Sequence, residues 1–164
     1  MVETSYSDAS VKIPPHDLDA EEAVLGSCLL DPEAIHKVAS LLRPADFYRE
    51  KHRWTYECCL AATPDVTDQI TIAHELAKRN QLEAVGGAAY LSHLVSSTPS
   101  AVHIEYYAEI VHKLGYMRKL ISVANQIAAV GYEIPSIDDA DARVDEIIAR
   151  LRNGHGGSRK GFDL

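Results

Sequence analysis

VHIEYYAEIVHKLGYMRKLISVANQIAAVGY, residues 102–132, contains no proline and repeats its apolar side chains at intervals of three and four. Those intervals mark helical faces. Tyr107, Ile110, Leu114, Met117, Ile121, Ala124 and Ala128 form one stripe, and Leu120, Val123, Ile127 and Val130 form a second beside it. An unbroken helix over this stretch would be about 45 Å long. Gly115 lies inside it, at a cost of about 1 kcal/mol relative to alanine. Ile134-Pro135-Ser136 reads as a turn, and residues 137–152 as a further helix. There Ile137, Ala140, Val144, Ile147 and Leu151 make a narrow seam suited to near-parallel helix packing. The two segments predict an αα-hairpin over residues 101–152. Such a hairpin buries one seam internally. The second stripe exceeds what one partner helix needs, so part of this apolar surface is expected to face another chain. Leu114, Met117, Leu120, Val123 and Val130 are the residues assigned to that self-association.

Upstream, residues 14–100 predict a small multi-helix head, so the fold class is all-α. Pro14-Pro15 precedes Asp17, which can cap a helix over residues 18–30, with Asp19, Glu21 and Glu22 near its positive end. Asp31-Pro32 is a second start signal, followed at helical spacing by Ile35, Val38, Ala39 and Leu42. Pro44 breaks that helix, and Phe47 and Tyr48 are both expected to plug the core. Further helices are predicted over residues 50–62, 71–80 and 88–96. Thr63-Pro64-Asp65 and Gly86-Gly87 punctuate them. Residues 1–13 are polar and aperiodic and read as a flexible tail. Residues 153–164 begin Asn153-Gly154-His155-Gly156-Gly157-Ser158, the composition of a linker leading to a following domain.

The totals narrow the function. Acidic residues outnumber basic ones 24 to 16, for a formal net charge of −8. Phosphate neutralisation supplies most of a nucleic-acid binder's affinity, so direct DNA binding by this stretch is not expected and protein partners are. No apolar run approaches the ~20 residues that span a bilayer, so no membrane association is expected. Cys28, Cys58 and Cys59 are an odd, sparse set among apolar neighbours. They predict buried free thiols and a reducing, cytoplasmic location. The eight histidines do not combine with cysteines or acids at ligand spacing, and no metal site is predicted. Nor does any nucleophile–base pairing suggest a catalytic residue. Glu21-Glu22 and Asp138-Asp139-Asp141 read as helix-start acids. No glycine-rich phosphate loop ending in Gly-Lys-Ser/Thr occurs, and Gly157-Ser158-Arg159-Lys160 does not replace one. No cofactor is therefore expected in these residues.

Four stretches carry a resemblance. Pro14-Pro15-His16, Ala20-Glu21, Val24-Leu25-Gly26 and Leu29-Leu30-Asp31 form the first, and Leu42 through Arg49 followed by His52 the second. Leu82-Glu83, Val85-Gly86-Gly87 and Ala89-Tyr90-Leu91 form the third. Thr98-Pro99-Ser100-Ala101, Ile104, Tyr106-Tyr107-Ala108 and Ile110-Val111 form the fourth. In order and near-constant spacing they resemble the N-terminal domain of bacterial DnaB-type replicative helicases, over about residues 14–151. Gly115 is a departure, in a helix that normally lacks glycine there.

The resemblance implies a helical head and hairpin, a linker, and then a RecA-like motor that hydrolyses ATP with Mg²⁺ and moves on single-stranded DNA. Helicase activity would belong to that parent protein and not to this stretch. The N-terminal domains would pair, as dimers, a trimer of dimers or a hexamer, into the collar of a ring. That collar would dock primase and, in some systems, a loader, with DNA met only through the complete ring. For the primase the resemblance points to Tyr90, Ile121 and Ile127 where head and hairpin meet, with Arg118 and Gln126 at the rim. Two other readings are a free-standing helical adaptor or loader-like protein derived from the same domain, and a primase C-terminal domain. The Pro-Pro-His opening and the Asp-Phe-Tyr motif argue against the latter.

Overall fold

The computed structural model describes residues 12–62 and 67–154. All but the last two residues of the expected tail, and all but the first two of the expected linker, lie outside them, as does Thr63-Pro64-Asp65. Every regular element among the described residues is helical: α1 (Leu18–Leu30), α2 (Ala34–Val38), a 3₁₀ turn (Pro44–Asp46), α3 (Glu50–Ala61), α4 (Gln69–Lys78), α5 (Leu82–Val85), α6 (Gly87–Ser97), α7 (Ile104–Glu133) and α8 (Ile137–Asn153).

α1 is the hub of the head, packed against α3, α6 and α7. Asp17 caps it as expected, its carboxylate accepting the Ala20 N–H at 3.0 Å. Val24, Leu25 and Cys28 on α1 are fully buried. Gly26 permits a close crossing with α6: a β-carbon there would stand 1.9 Å from Thr98 Oγ1 and 2.6 Å from the Leu94 carbonyl oxygen.

The second helix is shorter than its sequence predicts. Asp31 accepts the Glu33 N–H at 2.9 Å, a local turn that delays the helix to Ala34. At its other end the Leu41 and Leu42 amides both turn back to the Val38 carbonyl, at 3.0 and 2.8 Å. That winding drives Leu42 into the core without extending the helix. α5 was not predicted, since one turn is too short to display a period. It ends at Gly86, whose φ of 113° is followed by 70° at Gly87. This left-handed pair releases the chain directly into α6.

Phe47 and Tyr56 fill the centre of the head, ring centroids 4.8 Å apart, and the Tyr56 hydroxyl donates to the Leu42 carbonyl at 3.1 Å. Tyr48 does not join them. It is half-buried and stacks on His16 at 4.1 Å.

α7 and α8 form the expected hairpin, but the stripe that faces inward is the second, apart from Leu120, which stays exposed. The first half of α7 rests on the head through Ile104, Ala108, Val111 and Gly115. Roughly 100° further round the helix, Val123, Ile127 and Val130 pack against Ala140, Val144, Ile147 and Leu151 of α8. Val123 and Val130, assigned from sequence to self-association, are 8% and 7% exposed inside this seam.

Candidate protein-docking site

Tyr90 sits on α6 in a polar chain that ties three helices of the head. Glu21, on α1, is buried although its position suggested a solvated helix-start acid. Its carboxylate accepts the Tyr48 N–H at 2.5 Å and faces His52 Nδ1, on α3, at 2.5 Å. A carboxylate only accepts, so Nδ1 carries the proton. His52 Nε2 lies 2.7 Å from the Tyr90 hydroxyl, which also reaches Glu22 Oε1 at 3.2 Å. Burial, reinforced by the Glu22 charge, pushes the Tyr90 phenol well above its ordinary pKa. The Lys51 ammonium lies 3.7 Å over the Tyr90 ring, and burial beside Arg49 lowers its pKa. The sequence offered no signal for this chain, because its members are far apart along the polypeptide.

The junction of head and hairpin is fixed by Arg118 on α7. Its guanidinium donates to the Pro15 carbonyl at 2.8 Å and to the Asp46 carbonyl at 2.5 Å, and stands 5.5 Å over the Tyr48 ring. Burial lowers its pKa. Expected at the rim of a partner interface, Arg118 instead clamps the Pro-Pro-His segment and the 3₁₀ turn to α7. Gln126 is exposed and within 3.4 Å of Ser122 Oγ.

The other residues assigned from sequence divide by face. Tyr90 packs on the head core, whereas Ile127 packs in the separate hairpin cluster. Leu114 is half-buried. Met117, Leu120 and Ile121 remain 37%, 44% and 47% exposed on α7. Three large apolar side chains within five residues, on a helix whose other faces are covered by the head and by α8, make an apolar surface of the kind that accepts another helix. No helix among the described residues is long and apolar enough to cross a membrane. No group of histidines, cysteines and acids able to hold a metal occurs among them either.

Residues 13–113 match the family model of the DnaB-like helicase N-terminal domain. The chain is 40% identical over 152 residues to the replicative DNA helicase DnaB of Geobacillus stearothermophilus, covering 88% of this chain and 34% of that protein. It is 41% identical over 123 residues to the replicative DNA helicase DnaC of Bacillus subtilis (strain 168), covering 74% of this chain and 27% of that protein. It therefore spans about a third or less of these relatives. The crystal structure of the N-terminal domain of DnaB helicase from Mycobacterium tuberculosis superposes with a TM-score of 0.79 at 37% identity, over 86% of this chain and 99% of that one. A structure describing a DnaB-like replicative helicase and its interactions with primase superposes with a TM-score of 0.66 at 30% identity, over 81% of this chain and 31% of that one. With helices, hairpin and matched residues in agreement, the chain belongs to the DnaB-like helicase N-terminal domain family.

Proposed function

We propose that this chain is the assembly and partner-docking domain of a replicative DNA helicase. The observation that carries this reading is the outer face of α7, where Met117, Leu120 and Ile121 stay exposed while the head and α8 cover its other faces. A second copy of the chain is the first occupant, because a hairpin presenting this face can pair with its own equivalent about a twofold axis. Primase is the second partner, supported by the similarity to a helicase described with its primase interactions. Tyr90 and Ile121 supply an aromatic and a branched aliphatic for that contact. Ile127 contributes by holding α7 on α8. The three buried thiols suit a cytoplasmic protein. Motor activity with ATP and Mg²⁺, loader binding and contact with DNA belong in this reading to the complete helicase.

Sedimentation equilibrium and calorimetry test it. The wild-type chain associates, and Ile121→Glu dissociates it and weakens primase binding with helical content unchanged. A wild-type chain that stays monomeric at high concentration overturns the assembly role. Primase binding indifferent to both Ile121→Glu and Tyr90→Ala overturns the docking surface.

A further inference from the structure

Between the 3₁₀ turn, the middle of α7 and the C-terminal end of α8 lies a cleft of about 540 Å³, within the ~300–1,000 Å³ range of small-ligand sites. Its charge runs against that of the molecule. The chain carries a net −8, yet Arg43, Arg53, Arg118 and Lys119 line the cleft with Asp46 as its one carboxylate. Arg53 donates to the Phe47 and Tyr48 carbonyls, at 2.8 and 3.1 Å, and Arg118 is held by Pro15 and Asp46. Those bonds fix two guanidinium planes at the wall, and Glu21 and Asp46 are the acids whose charges act on Arg118. Arg43 and Lys119 are exposed, and among the described residues neither forms an ion pair. Asp46 is already engaged: its Oδ2 accepts the Arg43 backbone N–H at 2.9 Å and lies 3.3 Å from His112 Nδ1.

We propose that this cleft binds an oxyanion, a carboxylate or phosphate group, held between Arg43 and Lys119 against the fixed guanidinium of Arg118. A planar arginine fork matches two oxygens of such a group, and an ammonium adds a point charge at its edge. The partly enclosed walls weaken solvent screening and strengthen each contact. Lys119 lies against Gly154, where the chain leaves α8. A bound anion therefore bridges the head to the base of the hairpin's second helix. Two sources carry this chemistry, a free phosphate compound and an acidic segment of a partner protein. The site is separate from the apolar face of α7, so its test does not depend on the assembly reading.

The experiment is a titration of the ¹⁵N-labelled chain with inorganic phosphate and, separately, with a tetraglutamate peptide, following backbone amides by NMR. Saturable shifts at Asp46, Gly115 and Gly154, weakened by added salt, are the expected result. Arg43→Glu with Lys119→Glu, both on exposed side chains, reduces affinity by about tenfold or more. Arg79→Glu, a cation outside the cleft, leaves it unchanged. Tighter binding of the peptide assigns the site to an acidic protein segment, and tighter binding of phosphate to a free anion. The proposal is overturned if neither probe gives saturable shifts at those amides, or if Arg79→Glu weakens binding as much as the double reversal.

Discussion

Asp46 and Gly115 meet backbone to backbone. A β-carbon on Gly115 would stand 2.8 Å from Asp46 Cα and 2.9 Å from its carbonyl oxygen. The glycine that costs helix propensity in isolation is what lets α7 seat on the 3₁₀ turn, and it places Arg118 one turn further on, within reach of the Asp46 carbonyl.

Gly115→Ala is therefore expected to destabilise the chain. Propensity alone favours alanine by about 1 kcal/mol, but forcing a methyl against backbone typically costs about 1–3 kcal/mol. Urea unfolding should show a lower midpoint. A raised midpoint would mean that the contact is loose enough to relax.

The Glu21–His52–Tyr90 chain should contribute strongly to stability. Glu21→Ala leaves the Tyr48 amide and His52 Nδ1 without their acceptor, a loss of about 3 kcal/mol. Tyr90→Phe removes only the hydroxyl facing His52 and Glu22 and should cost about 1 kcal/mol. Thermal unfolding of both variants checks the order. Equal and negligible effects would remove the network from the account of the fold.

Two aliphatic truncations on α7 should behave oppositely. Val130→Ala opens the hairpin seam and lowers stability by about 1–2 kcal/mol. Leu120→Ala changes monomer stability by less than about 0.5 kcal/mol and weakens association instead. Denaturation at low protein concentration, paired with sedimentation, separates them. Loss of stability in Leu120→Ala at low concentration would place that side chain in the monomer's own packing.

The thiols give a pH dependence of definite sign. Burial pushes Cys58 up to about 11 and, with a hydrogen bond from Cys28 acting first, raises Cys59 as well. A thiol whose pKa is raised on folding contributes stability that is fully present below its unfolded pKa, near 9, and lost as pH rises through the folded value. Stability should therefore fall between about pH 9 and 11. At pH 8 the native chain should react with a thiol reagent only as fast as it opens. Prompt labelling of all three cysteines would contradict this burial.

The helical fold, the hairpin and most helix limits were legible in the sequence, because caps, prolines and apolar period act locally. Asp17 caps where its sequence context predicts, and Ser136, read as part of a turn, also caps α8, its Oγ 3.4 Å from the Asp139 backbone nitrogen. Met117 and Leu120, assigned from sequence to self-association, are exposed on α7.

Which stripe of α7 turns inward was decided only by the tertiary structure. The face that rests on the head carries Ala108 and Gly115, too small to stand out in a hydrophobic pattern, and their smallness is what the close packing requires. Once that face is fixed, α8 meets Val123, Ile127 and Val130, and Met117 and Ile121 of the first stripe are left outside together with Leu120 of the second. The buried Glu21, the Arg118 clamp and the cationic cleft likewise join residues distant in the chain. A local period records how a segment can fold, whereas these contacts depend on where other segments come to lie.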